Sequence, residues 1–444
     1  MSTDISLKHI NKLAIPALIS GVSEPILSIT DTAIVGNMPV DATESLAAVG
    51  IVGAFISMLI WVLGQTRSAI SSIVSQYVGA NNLDKVKNLP AQAIFIITSL
   101  SILIILITYP LAEPIFKLYN ASHLILDYSV EYYRIRVFGF PFTLFTIAVF
   151  GTFRGLQNTF YPMIIAIVGA SANIILDFVL VFGIEGFIPA MNIKGAAYAS
   201  VIAQLLMALV SAYYLLTKTT IPLRFSLPFN SEIKRFLLMI VNLFIRTLAL
   251  NVTLYYASAF STSYGKEYIA AYTIAINLWF LGAFIIDGYA SAGNILSGKL
   301  YGAKDYKKLI ALSNKLIKYG VIVGAIMAII GALIYYPVGS LFTKDEAVLN
   351  EFYNVYWMVL AMQPLCALAF IFDGMFKGLG KMKTLRNVLL FSTFLVFVPI
   401  LFWLDSMNYK LYAIFTAFTL WIIARGLPLI IKFRKEFLPL SQNY

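Results

Sequence analysis

The segment Ser75-Gln76-Tyr77-Val78-Gly79-Ala80 returns later in the chain as Gly298-Lys299-Leu300-Tyr301-Gly302-Ala303, at a shift of 223 positions (302 − 79 = 223). Arg154-Gly155-Leu156 meets Lys377-Gly378-Leu379 at the same shift (378 − 155 = 223). Pro141 pairs with Pro364, Gly151 with Gly374, and Leu46-Ala47-Ala48 with Ile269-Ala270-Ala271, again at that offset. Agreement of separated segments at one displacement reads as a tandem repeat, and the repeat organises everything between its copies.

Composition supplies the solvent. Of 444 residues, 60% are hydrophobic and 12% charged, with a mean hydropathy of +0.84. A soluble domain carries about 25% charged residues, so this chain cannot cover a globular surface of its size with polar groups. Lipid is the alternative, and there apolar helices of about 20 residues are the natural unit. Apolar spans fall at roughly 13–36, 46–78, 90–112, 125–156, 160–183 and 194–216 in the first half by that length criterion. The second half has them at roughly 236–260, 268–301, 313–336, 347–376, 385–404 and 410–431. The predicted fold is an all-α integral membrane protein with twelve transmembrane helices in two six-helix repeats. Because the offset spans an even number of helices, the repeats are parallel, related by a pseudo-twofold along the membrane normal. The expected divisions are an N-terminal lobe 1–216, a cytoplasmic linker 217–235 that reads as a tether, and a C-terminal lobe 236–444.

The net charge of +11 raises the question of a nucleic-acid partner, and its distribution answers it. Lys8 and Lys12, Lys85 and Lys87, Lys218 through Arg235, Lys299 through Lys318, Lys377 through Arg386 and Lys432 through Lys435 all fall on one side of the predicted spans. The opposite loops offer Lys117, Lys194, Lys266, Lys344 and Lys410. This is the positive-inside pattern and predicts a multi-pass plasma (bacterial inner) membrane protein with both termini cytoplasmic; no nucleic acid is implied. The first span carries Glu24 and Asp31 and lacks a small-residue cleavage pattern, so it is expected to be retained. Cys366 is the single cysteine, and His9 and His123 are far apart, which argues against a disulfide or a Cys/His metal site. No phosphate loop or nucleophilic triad is present in the sequence, so the chain is not expected to be an enzyme; energy for any transport would come from an ion gradient.

Charges inside membrane spans are costly and mark function by default, with a satisfied structural pair as the competing reading. Asp31 lies near the outer end of the first span. Asn173 and Asp177, four residues apart, share a face of the fifth. At 1.5 Å per residue both carboxylates sit roughly 8–9 Å inside the outer boundary, so they are placed in one pocket with Asn173 as a hydrogen-bonding neighbour. Two such carboxylates in low dielectric do not both stay ionised cheaply. Tyr132 and Tyr133 on the fourth span are candidate pocket neighbours, while Arg134 and Arg136 read as snorkelling outward. Glu24, seven residues before Asp31, is on the same face and deeper. Pro16 and Pro25 each remove a hydrogen bond from the first span. The second half lacks these acids: at the repeat shift Asp31 maps to Leu254 and Asp177 to Ile400. Its own set is Arg246, Asp287 and Asp373, which reads as a buried structural or gating network.

The segment Ser28-Ile29-Thr30-Asp31-Thr32-Ala33-Ile34-Val35-Gly36 closely resembles the first-helix signature of the MATE (multidrug and toxic compound extrusion) family. Arg154-Gly155-Leu156-Gln157-Asn158-Thr159, the Asn173/Asp177 pair and Tyr133-Arg134-Ile135-Arg136 are similar to further family motifs in the same order. Where the NorM-like branch carries a second-half acidic pair, this chain has Asn251 and Cys366, and it resembles the DinF-like branch instead. That resemblance implies Asp31 as the proton-responsive residue, Pro16 as the bend point of the first helix, and Asn173, Asp177 and Tyr132 as pocket neighbours. It also implies export of small amphipathic, often cationic compounds in exchange for protons, with sodium as the alternative ion, by a monomer in the lipid bilayer that needs no cofactor. A lipid or lipid-linked saccharide flippase of related architecture, and a non-transporting membrane scaffold or receptor, are the competing expectations.

Overall fold

Without water to satisfy them, backbone groups in these apolar runs close on themselves as helices. The computed structural model describes residues 3–38 and 41–442, with residues 23–29 described by backbone alone. We label its helical segments α1 (Leu7–Val35), α2 (Ala42–Gly79), α3 (Leu83–Thr108), α4 (His123–Gly155), α5 (Phe160–Phe182) and α6 (Asn192–Lys218). The second half continues with α7 (Ile233–Ser263), α8 (Lys266–Gly302), α9 (Tyr306–Leu333), α10 (Glu346–Gly378), α11 (Met382–Ser406) and α12 (Leu411–Gln442). Segments α2 to α12 are each long and apolar enough to cross a membrane, 11 in all among the described residues, and α1 is a further helix of 29 residues. Several run past their predicted ends because polar caps and charged turns extend the helix beyond the apolar window. Asp305 accepts from the Lys308 N–H at the start of α9, and Asp345 accepts from Ala347 and Val348 at the start of α10, satisfying amides that the helix leaves unpaired.

The repeat is visible as packing. An added Cβ at Gly151 would lie 2.6 Å from the Arg67 carbonyl oxygen, and at Gly374 2.1 Å from that of Ala290. Arg67 and Ala290 are themselves 223 apart (290 − 67 = 223). Gly155 packs against Ser71 and Val74 as Gly378 packs against Asn294 and Ser297. The glycines of the two matching motifs therefore let α4 cross α2, and α10 cross α8, at backbone distance. A third pair is reciprocal: a Cβ on Gly79 would meet the Lys299 carbonyl oxygen at 1.9 Å, and one on Gly302 that of Gln76 at 1.8 Å.

Packing groups the chain into two compact units that do not follow chain order. One holds Ile19–Val74 and Asn82–Leu237; the other holds α1 up to Leu18, Ser75–Asn81 and the chain from Leu238 onward. Residues 217–235, expected to be a tether, are pinned to the first of these. Gln92 Nε2 donates to the carbonyls of Ser226 and Pro228 at 2.8 and 3.1 Å, and Gln92 Oε1 accepts from the Asn230 N–H at 2.8 Å. Asn230 Nδ2 donates in turn to Lys85 O and Asn88 Oδ1. Side-chain bonds thus replace the water that a flexible connection would use.

Candidate functional site

Asp31 is four residues from the end of α1 at Val35, and Asp177 is five from the end of α5 at Phe182. Both are buried, with 4% and 0% of their surface exposed. Asn173, one turn before Asp177, is buried between them. In the amide orientation that points its nitrogen at the acids, Nδ2 donates to Asp31 Oδ1 at 3.1 Å and to Asp177 Oδ2 at 3.3 Å. The two carboxylates act on one another electrostatically. Asp177 Oδ1 is buried with no hydrogen-bond partner among the described residues, so the group has acceptor capacity to spare.

Three further side chains complete it. Ser200 on α6 donates from Oγ to Asp31 Oδ2 at 2.8 Å. Gln204, one turn along α6, accepts at Oε1 from Arg136 Nη1 at 2.8 Å. Arg136 is 8% exposed and acts electrostatically on both acids, so it is part of the site, a correction to the expectation that it snorkels outward. Arg134 is exposed and lies over the Tyr109 ring instead. Gly139 makes the Arg136–Gln204 contact possible, since a Cβ there would fall 1.8 Å from Gln204 Oε1. Three of the four helices contribute by the same device, a pair of polar residues one turn apart on the buried stripe: Tyr132 and Arg136 on α4, Asn173 and Asp177 on α5, Ser200 and Gln204 on α6. Two acids and one guanidinium leave the site with an excess of one negative charge when both acids are ionised. A single proton makes it neutral.

Of the predicted neighbours, Tyr132 is 2% exposed and faces Arg136 and the acids. Tyr133 does not join them and is a correction. One residue further round the helix, its ring packs edge-on against Phe55 and Phe116 and its hydroxyl donates to Thr108 Oγ1 at 2.6 Å. The side chains of Glu24 and Pro25 lie outside the described residues. Pro16 lies within α1, which runs from Leu7 to Val35 as one helix. Replacing Ser200 with alanine removes a donor to a charged acceptor. It is expected to cost about 1.5–3 kcal/mol, read as a lower thermal unfolding midpoint in detergent; an unchanged midpoint would remove Ser200 from the group.

The second-half network differs from its expected membership. Asp373 on α10 is paired with Arg246 of α7 at 2.5 Å, with Lys377 at 3.0 Å and with Arg425 of α12 at 3.8 Å. Asp287 is corrected: it is exposed, makes no ion pair among the described residues, and acts on Lys377 only at longer range. Asn251 bonds back to its own helix at Thr247 O, and Cys366 is buried.

Comparison with known proteins agrees with the repeat. The MatE family model matches the chain twice, over residues 16–179 and 239–403, and the two matches begin 223 positions apart (239 − 16 = 223). The chain is 25% identical to DNA damage-inducible protein F of Escherichia coli across 98% of its own length and 93% of that protein's. It is 27% identical to the probable multidrug resistance protein NorM of Photorhabdus laumondii, covering 89% of this chain and 86% of that one. Its fold superposes on a solved MATE structure in a bent conformation with a TM-score of 0.90, over 98% and 96% of the two chains at 21% identity. With a membrane-spanning helical repeat and both family matches in register with it, this chain is a member of the MatE family of membrane transporters.

Proposed function

We propose that this transporter exports small amphipathic, often cationic compounds by alternating access in exchange for protons, with Asp31 and Asp177 as the coupling pair. The observation that carries the reading is the buried group of Asp31, Asp177, Asn173, Ser200 and Arg136, whose net charge changes from one negative to zero on taking up one proton. A buried charge of that kind is costly in lipid, and a ligand or helix arrangement that depends on it has different affinity in the two protonation states. Differential affinity of this sort is what drives export. Hydrogen bonds to Asp31 from α5 and α6 tie the charge to helix packing, and Pro16 supplies a point where α1 bends. The names of the relatives, among them a probable multidrug resistance protein, support drug-like substrates. The cation asymmetry of the loops supports a bacterial inner-membrane protein with both termini in the cytoplasm.

Purified protein in proteoliposomes tests the coupling. A lipophilic cation such as ethidium is expected to move against an imposed pH gradient in sodium-free buffer, and to stop when nigericin dissipates that gradient. Movement driven only by a sodium gradient would assign the coupling to sodium. No movement under either gradient would remove the reading.

A further inference from the structure

Four buried charges in the second-half unit do not cancel. Arg246, Lys377 and Arg425 surround the single carboxylate of Asp373, and the side chains are between 6% and 16% exposed. Three cations and one anion leave an excess of two positive charges. Asp287, exposed and beyond ion-pair distance, offsets at most one of them at longer range. A buried ion without a counter-charge costs several kcal/mol in protein and is no cheaper in lipid, so the arrangement calls for an anion from outside the chain.

A second observation points the same way. Arg246 is 7% exposed, and its Nε–H has no hydrogen-bond partner among the described residues. A guanidinium binds a planar oxyanion through Nε and a terminal nitrogen together; Arg246 spends a terminal Nη2 on Asp373 and holds Nε in reserve. Beside it, Arg425 is stacked, its guanidinium carbon 4.6 Å from the Trp421 ring and 5.2 Å from that of Phe370. Trp421 is itself fixed by a bond from Nε1 to Thr393 Oγ1 at 3.1 Å. Thr393 projects from a widened π-helical turn of α11, Ser392–Phe397, a distortion frequent at functional sites. Three of the four charges are not inherited from the repeat: at the 223 shift Arg246, Asp373 and Arg425 map to Ser23, Phe150 and Ile202, and only Lys377 keeps a charged counterpart, Arg154.

We infer that Arg246, Arg425 and Lys377 form a binding site for an organic oxyanion, a carboxylate or phosphate group carried on an apolar or aromatic body, with Asp373 as the internal anion that holds the cations in place until the ligand arrives. The site goes beyond the proton-coupled reading and does not rest on it, because binding here requires no transport.

The test is calorimetric titration of the full-length protein in phosphatidylcholine nanodiscs with benzoate, and with benzamide as an uncharged probe of the same shape. Saturable binding of benzoate at least tenfold tighter than benzamide is expected. Arg425→Gln and Arg246→Gln should each weaken it tenfold or more, and Asp373→Asn, which removes the competing carboxylate, should tighten it. Repeating the titration in nanodiscs containing phosphatidylglycerol separates two sources of the oxyanion. Binding lost there assigns the site to a lipid headgroup, and binding kept assigns it to a free ligand. Equal affinity for benzoate and benzamide, or wild-type affinity in both arginine variants, would overturn the proposal. Should a variant fail to fold, the wild-type comparison of the two probes decides alone.

Discussion

Asp31→Asn is expected to reduce proton-driven export to the level of empty vesicles while the protein still inserts and folds. Asparagine matches the carboxylate in size, and its Oδ1 still accepts from Ser200 Oγ, the 2.8 Å bond that anchors position 31 to α6. Packing at this 4% exposed position is therefore preserved. What disappears is the ability to alternate between charged and neutral forms, together with the charge–charge interaction that couples Asp31 to Asp177. With one acid left against Arg136, the site is neutral without a proton, and uptake of a proton no longer relieves a negative charge. Folding is checked by a thermal midpoint within a few degrees of wild type, and coupling by ethidium movement under an imposed pH gradient. Full, proton-dependent transport by the variant would exclude Asp31 from the coupling step.

The second large effect is steric. Gly374→Val is expected to cost more than about 3 kcal/mol and to leave little folded protein, because its Cβ would sit 2.1 Å from the Ala290 carbonyl oxygen and 2.7 Å from the Ala290 carbonyl carbon. Those atoms are backbone of α8, so relief requires moving a helix rather than turning a side chain. Gly151→Val meets the Arg67 backbone in the first half in the same way and should be similarly disruptive. Gly50 and Gly53 provide the contrast. Nothing lies within 4 Å of a Cβ at either position, so valine there is expected to change stability by less than about 1 kcal/mol. Yield of monodisperse protein and unfolding midpoints in detergent compare the four variants. A well-folded Gly374→Val protein would show that the crossing is looser than drawn.

These two predictions also mark what could be read before the structure. The membrane architecture was legible because lipid permits few alternatives: long apolar windows must be helices, and the 223 offset must carry packing as well as sequence. Asp31, Asn173 and Asp177 were legible as a group because carboxylates are rare enough in spans for their depths to be compared. Ser200 was not, since a serine on a small-residue stripe such as Ala196-Ala197-Tyr198-Ala199-Ser200 packs as readily as it bonds. Nor is the inward turn of Arg136 legible, because distance from the membrane boundary says nothing about which way a side chain turns. The four-residue spacing from Tyr132 was the available signal, as was that from Ser200 to Gln204. Tyr133 failed for the complementary reason: adjacent positions on a helix point about 100° apart, so it and Tyr132 could not both face the acids. The ion-pair network around Asp373 drew on Arg425, in the last helix, through a tertiary contact that no local pattern announces.

The reciprocal approach of Gly79 to Lys299 and of Gly302 to Gln76 is a self-complementary surface within a single polypeptide. Such isologous contacts ordinarily arise where two identical subunits meet across a twofold axis. Here, because both halves of the contact are one geometric object, tolerance at the two positions is linked. Any withdrawal of the backbones that admits a methyl group at residue 79 opens equal room at residue 302, so losing both hydrogens costs less than the sum of losing each.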